Sequence, residues 1–255
     1  MLDSRHDADY LYRMSAAIDL ATVAALVGDP ARANILCVLQ DGRAQTASEL
    51  AYVAGVSPQT TSGHLAKLTE ARLLALQKQG RHRYYRLASP LIGRMLEAVM
   101  AVAAVGPPRH RSPSKLDDAL RSARTCYDHL AGRLGVGLAD ALVAKRCIVL
   151  AEDGGQVTRV GAKLLVGFGI DLAVAGQQRR TFCRPCLDWS ERRPHLAGSI
   201  GAALALRCFE LGWIARVRDS RAVTVTPRGR GGFAKVFGFD SSGPARPGPR
   251  TLLSE

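Results

Sequence analysis

The residues with the most chemistry to offer are thiols and imidazoles in the second half of the chain. Cys183-Arg-Pro-Cys186 has the two-residue spacing that clamps a soft metal ion or forms a redox pair, and the neighbouring Arg180 and Arg184 would favour a thiolate. A Cys and a His also stand together at Cys126-Tyr-Asp-His129, and Cys186 is followed by Trp189 and His195. Structural zinc wants four ligands and only one Cys-x-x-Cys is present. Cys126, His129, Cys183, Cys186, Trp189 and His195 are therefore candidates for sensing an effector. One form of this is a soft metal ion at Cys183 and Cys186. In the other, the thiols are structural or line a ligand pocket, and the two His sites cap helices or border a shared cavity with Tyr127, Asp188 and Trp189.

A different chemistry is written into Ser57-Pro-Gln-Thr-Thr-Ser-Gly-His-Leu-Ala-Lys-Leu68. Ser57 can cap a helix, Pro58 fits its first turn, and Gly55 permits a tight turn before it. Thr61, Leu65 and Leu68 share one face at three- and four-residue spacing, which leaves Gln59, Thr60, Ser62, Gly63 and Lys67 pointing outward. Short polar side chains with one cation are what base edges and phosphates require. The spacing assigns Gln59, Thr60 and Ser62 to base edges and Ser57, His64 and Lys67 to phosphates, although His64 lies at the edge of the buried face and could equally pack there.

Two elements must position this helix. Ala47–Ala54 reads as a shorter bracing helix, with Leu50 and Val53 inward and Ser48 as its candidate cap. Leu73–Gln79 and His82–Leu87 read as strands around Gly80-Arg81, a basic hairpin that would carry Arg81, His82 and Arg83 to a backbone or minor groove. Charge agrees with this arrangement. Of the overall +13, residues 67–94 hold seven Lys or Arg against one acid, whereas residues 1–105 together net only +2. A second excess, twelve basic against four acidic residues at 179–239, is either a solvated surface or a phosphate- or anion-binding one.

Gly28-Asp-Pro-Ala-Arg-Ala-Asn-Ile-Leu36, Ser48-Glu-Leu-Ala51, Ser57–Leu65 and Gly80-Arg-His-Arg-Tyr-Tyr-Arg-Leu87 occur in order with the right gaps. In these motifs residues 10–105 resemble the ArsR-like (arsenical-resistance-repressor) winged-helix regulators. The resemblance implies a homodimer that represses by occupying a short inverted repeat of double-stranded DNA and lets go when an effector binds. It also implies that the wide apolar helices at Tyr10–Val27 and Ser89–Val105 pack across the dimer. The sequence departs from the family in three ways. Gly63 stands where Arg is common, and Arg43-Ala-Gln-Thr-Ala47 lacks the Cys pair of the family's metal sensors. Arg94, Glu97 and Ala98 likewise form no Asp/His ligand set on the helix after the wing.

The fold class expected is mainly α with small β-hairpins (α+β), divided into a winged helix-turn-helix domain for DNA binding and dimerisation (1–105), a Pro-rich linker (106–115), an effector-sensing domain (116–239) and a disordered tail (240–255). The third segment contains an internal repeat. His129-Leu-Ala-Gly recurs as His195-Leu-Ala-Gly, each copy continuing into Cys147-Ile or Trp213-Ile and then into Thr158-x-x-Gly161 or Thr226-x-x-Gly229. Helix, hairpin and capped helix in each copy suggest two winged-helix-like halves about a pseudo-twofold axis. No phosphate-binding loop, dinucleotide fingerprint or nucleophile elbow appears, so an enzymatic reading survives only as a thiol-dependent fusion using Cys183 and Cys186. A DNA-binding or architectural protein whose second domain senses nothing is the other alternative. The absence of a long apolar run and of a signal pattern makes the cytoplasm the expected location, with no membrane partner.

Overall fold

In the computed structural model of the chain, residues 19–103, 115–151, 154–178 and 180–241 are described. The start of the first expected helix, the linker apart from residue 115, and the tail beyond residue 241 lie outside them. The chain divides into two compact units, one holding the described residues up to Leu39 together with Arg43–Ile92, the other Gln40–Gly42 and the described residues from Gly93 onward. Among the described residues no single helix is long and apolar enough to cross a membrane.

The first unit begins with helix α1 (described over Asp19–Val27) and α2 (Pro30–Val38). Asp29 caps α2 by accepting from the Arg32 amide, and Pro30 occupies the first turn, where a missing N–H costs nothing. Arg32 also ties the two helices together, donating to the Leu26 and Ala25 carbonyls that α1 leaves without partners at its end. Strand β1 (Gln45–Thr46) leads into α3 (Ala47–Ala54). The cap of α3 is Thr46 and not Ser48. Thr46 forms a reciprocal capping box with Glu49, which satisfies two amides where Ser48, one residue inside the helix, could satisfy none.

Gly55, left-handed at φ +67°, ends α3, and Ser57 opens α4 (Pro58–Glu70) by accepting from the Thr60 amide at 3.1 Å. Thr61, Leu65 and Leu68 are buried as their spacing requires, beside Leu50 of α3 and Ile35 and Leu36 of α2. Each such Leu or Ile contributes on the order of 1.5–3 kcal/mol by leaving water. Strands β2 (Leu74–Gln79) and β3 (His82–Leu87) pair in register around Gly80-Arg81, with Gly80 at φ +59°, and β1 adds to the other edge of β3. Helix α5 (Pro90–Ala103) follows.

The second unit, which takes in α5 from Gly93 onward, continues with α6 (Lys115–Ser122) and then runs twice through one pattern. The first copy is β4 (Arg124–Cys126), β5 (His129–Ala131), α7 (Gly132–Ala144), β6 (Ile148–Ala151), β7 (Gly154–Val157) and α8 (Arg159–Gly167). A short α9 (Leu172–Gly176) precedes the second: β8 (Arg184–Leu187), β9 (Pro194–Ala197), α10 (Gly198–Glu210), β10 (Ile214–Arg216), β11 (Val223–Val225) and α11 (Pro227–Gly232), closed by a π turn over Phe233–Phe237. Thr158 and Thr226 cap the final helix of each copy by accepting from the Gly161 and Gly229 amides.

The copies exchange partners, α7 packing on β9 and α10 on β5. The equivalent glycines Gly135 and Gly201 permit this. A Cβ on Gly135 would meet the Leu130 carbonyl at 2.4 Å with the His195 Cβ at 3.5 Å, and a Cβ on Gly201 would meet the Leu196 carbonyl at 2.3 Å with the His129 Cβ at 3.3 Å. The core between the copies holds Leu134, Leu138, Leu142, Ile200, Leu204 and an aromatic cluster of Phe168, Trp213, Phe233 and Phe237.

One stability consequence follows on α4. A Cβ at Gly63 would meet nothing within 4 Å, and a mid-helix glycine costs about 0.5–1 kcal/mol relative to alanine. Gly63→Ala should therefore raise the unfolding free energy by about that amount in urea titrations; a decrease would show that the open face is not open in solution.

Candidate functional site

The chemistry-bearing residues fall in two groups, one in each unit. On the first, Ser57, Gln59, Thr60, Ser62 and Lys67 are exposed on α4, and Arg81, His82 and Arg83 are exposed at the tip of the β2–β3 hairpin. The hydroxyls are partly committed. Ser57 Oγ lies 2.9 Å from Thr60 Oγ1, and Ser62 donates to the Pro58 carbonyl at 2.9 Å, which leaves their lone pairs outward as acceptors. Gln59 makes no hydrogen bond among the described residues and keeps both amide functions free. His64 is half-buried with Nδ1 3.4 Å from Arg32 Nη1, so it is anchored inside the unit more firmly than its neighbours.

In the second unit, Cys126, His129, Cys186 and His195 converge. All four are buried, and one ligand-type atom from each lies within 4.8 Å of the others. The hairpins dictate this. Cys126 is the direct cross-strand partner of His129 on β4–β5, and Cys186 of His195 on β8–β9. Directly opposed residues share a face with Cβ atoms about 4.5–5.5 Å apart, so each hairpin presents one thiol and one imidazole side by side. The exchanged packing then sets the pairs against each other, with the two imidazoles stacked at 5.1 Å between centroids.

The expected Cys183–Cys186 pair is not formed. Cys183 lies in the apolar core of the unit, where a Cβ on Gly155 would come within 2.8 Å of its sulfur. Successive side chains of an extended segment alternate sides, and an odd separation of three puts Cys183 and Cys186 on opposite faces. The cations expected to favour a thiolate at Cys183 do not serve it. Arg180 pairs with Asp128, Arg184 donates to the Pro185 carbonyl, and burial pushes the Cys183 thiol up to about 11. Trp189 belongs to the surroundings of the cluster: the guanidinium of Arg124 stacks over its ring at 4.7 Å.

Each imidazole is backed by a carboxylate. His129 Nδ1 lies 3.2 Å from Asp128 Oδ1, and His195 Nδ1 lies 3.4 Å from Asp188 Oδ2. The Nε2 of both rings, and the Nδ1 of His195, have no hydrogen-bond partner of good geometry among the described residues. Hydrogen bonding from Cys126, supported by His129 and His195 and opposed by burial, holds the Cys186 thiol far below its ordinary range. Burial alone would lower His195; Asp188 and Cys186 outweigh it and raise the imidazole to about 9. Cys126 is pushed well above the usual thiol range by its hydrogen bond to Cys186 and by burial. Cys186 and His195 thus each favour the charged form of the other in a site that water hardly reaches.

Around them runs a buried charge network that composition alone did not reveal. Asp188 accepts from Arg124 Nη2 at 3.0 Å and from the Gly132 amide at 2.6 Å; Glu97 lies 3.6 Å from Arg124 and 2.6 Å from Arg221. The one available sign was a single acid, Glu97, in the run Leu91–Val102, which is apolar apart from it and Arg94.

The family model described as a helix-turn-helix domain matches residues 27–77. The HTH-type transcriptional regulator YdfF of Bacillus subtilis is 42% identical over 217 residues, 85% of this chain and 96% of that protein. The chain belongs to the ArsR-like helix-turn-helix transcriptional regulators. The HTH-type transcriptional regulator KmtR of Mycobacterium tuberculosis is 32% identical over 104 residues, 39% of this chain and 79% of that one. Among solved structures, the winged helix-turn-helix DNA-binding domain of Mb0332 from Mycobacterium bovis is similar over 39% of this chain and 92% of that chain, at 24% identity and a TM-score of 0.35. Because YdfF is matched almost end to end, the likeness to this regulator includes the second unit as well as the winged helix.

Removing one partner of a buried ion pair leaves an uncompensated charge and typically costs about 3–5 kcal/mol. Arg124→Met should destabilise the regulator by that order in chemical denaturation followed by tryptophan fluorescence, both tryptophans lying in the second unit. A loss below about 1 kcal/mol, the value typical of solvent-screened pairs, would mean that Asp188 is not buried in solution.

Proposed function

We propose that this regulator is a homodimeric repressor that binds an inverted-repeat operator through α4 and the β2–β3 wing, and that its second unit senses an effector whose arrival releases the DNA. The observation carrying the DNA reading is the face of α4. Gln59, Thr60, Ser62 and Lys67 stand exposed on it with Pro58 and Ala66 as the only exposed apolar side chains of the helix, beside a hairpin whose tip carries Arg81, His82 and Arg83. The amide of Gln59 suits adenine N6 and N7, the Ser and Thr oxygens accept from base amino groups, and Lys67 and the wing arginines suit phosphates. Ser57 supports the helix end, and His64, held by Arg32, adds a partial donor at the margin.

Dimerisation is supported by apolar side chains left facing solvent on the two helices that flank the winged core: Leu20 on α1, and Leu91, Val99 and Val102 on α5, all at least half exposed. Such a surface gains most from burial against a second copy of itself. An operator of two half-sites then follows from the twofold symmetry. The sensing role is supported by the buried thiol–imidazole cluster, which leaves three imidazole nitrogens without a hydrogen-bond partner beside the buried Arg124–Asp188 ion pair, where an apolar core would be more stable.

Light scattering on the eluting protein should give the mass of a dimer, shifted toward the monomer by Val99→Glu. Binding to duplexes followed by fluorescence anisotropy separates the roles on α4. Lys67→Ala should weaken all operator variants about equally and lower the salt slope by roughly 1, while Gln59→Ala should change the ranking among variants. Identical behaviour of the two substitutions would refute the assignment.

A further inference from the structure

We infer that Cys126, His129, Cys186 and His195 form a tetrahedral two-sulfur, two-nitrogen site for a thiophilic divalent cation of the zinc class. The inference rests on the sensing role proposed above and names its effector.

Four features of the cluster support it. First, the donor set is the mixed thiolate–imidazole one that zinc takes in tetrahedral sites, and all four donors are buried. Second, the size fits. Zinc–sulfur and zinc–nitrogen bonds of about 2.3 and 2.0–2.1 Å put ligand atoms roughly 3.3–3.8 Å apart, so separations of at most 4.8 Å need to close by about an ångström, which small side-chain rotations supply. Third, both imidazoles already have the outer carboxylate that metal-bound histidines use. Asp128 is hydrogen-bonded to Nδ1 of His129 and Asp188 lies 3.4 Å from Nδ1 of His195, and Nε2 of each ring is left for the ion. Each carboxylate has in turn its own arginine, Arg180 for Asp128 and Arg124 for Asp188. Two thiolates neutralise a dication, and the two Asp–Arg pairs are neutral in themselves, so the loaded site leaves no net charge in the interior. Fourth, there is an access route. Cys186 is 8% exposed and lines a cleft with Ala98, Ala101, Val102, Pro185 and Leu187.

Metal entry displaces two protons, one for each cysteine that becomes a thiolate ligand, and makes four bonds to the cation; no oxidation is involved. The connection toward α5 is direct, because Asp188 behind His195 is bonded to Arg124, which faces Glu97 on that helix.

The test uses the full-length protein, purified under reducing conditions, freed of metal with a chelator and titrated with Zn(II) in competition with a chromophoric chelator, and separately with Co(II) as an optical probe. Expected are one Zn(II) per protomer and a Co(II) spectrum with the intense visible bands of tetrahedral coordination and sulfur charge transfer. Cys186→Ser should weaken zinc binding at least 100-fold and remove the sulfur bands. Asp128→Asn, which leaves all four ligands in place, should weaken it about 10–100-fold. Cys183→Ser, outside the site, should change neither readout. Absence of zinc uptake by protein that still binds its operator, a six-coordinate Co(II) spectrum, or isolation of the metal-free protein with a Cys126–Cys186 disulfide would each overturn the cation site while leaving the DNA-binding reading intact. Stoichiometric tetrahedral binding with no change in operator affinity would support the site and overturn the release by effector.

Discussion

The second unit depends on a carboxylate placed where carboxylates are expensive. Asp188 is wholly buried, and taking its charge out of water costs several kcal/mol even after relaxation. Its partners offset this. Arg124 and the Gly132 amide meet one oxygen, while Ser190 and the Glu191 amide meet the other. Arg124 and Gly132 come from the first copy of the repeat and Asp188, Ser190 and Glu191 from the second. The ion pair therefore fixes the register of one half against the other, a specificity that leucine-on-leucine packing between α7 and α10 would not impose. With His195 against the same carboxylate, the requirement that Asp188 stay paired also fixes where an imidazole stands.

The exchanged packing explains why this unit has glycines where a helix would favour alanine. Gly135 and Gly201 occupy equivalent places, and each allows its helix to lie against the carbonyl that ends its own hairpin while touching the histidine of the other. Any side chain there would push the helix outward and carry the two histidines apart. The repeat is thus more than duplicated sequence: contacts run reciprocally, and the cluster lies where the two halves meet.

Much of this was legible in the sequence. The helix of the first unit that carries Gln59 and Lys67 announced itself through Ser57, Pro58 and the spacing of Thr61, Leu65 and Leu68, because capping and amphipathicity are local. The repeat was legible from His129-Leu-Ala-Gly and its echo at His195. What the sequence hid depends on strand pairing. Cys183 and Cys186 look like a pair when written as Cys-x-x-Cys, but an extended segment separates them, and the thiol that joins Cys186 stands sixty residues earlier on another hairpin. Glu97 and Arg124 were equally silent, since a charged residue in an apolar run reads as solvent-facing until its opposite number is known. Thr46 displaced Ser48 as a cap for a smaller reason of the same kind, since the helix begins two residues earlier than a cap at Ser48 would place it.

The division of the ligand set between two hairpins bears on how a cation could act as a signal. A single hairpin supplies one sulfur and one nitrogen, too few to hold a zinc-class ion against water, so affinity arises only when both halves are docked in register. A slip of one residue in β4–β5 or β8–β9 would turn Cys126 or Cys186 to the opposite face, and the site would vanish altogether. Binding energy of the ion is for that reason available to one arrangement of the unit and denied to others, and a ligand shifts an equilibrium only by such a difference in affinity. The nearby chain that feels the shift is the one bonded to Asp188 and Arg124, ending at Glu97 on the helix that follows the wing. A buried charge pair suits that role because it has one good geometry and tolerates few others, whereas a greasy contact could slide without loss.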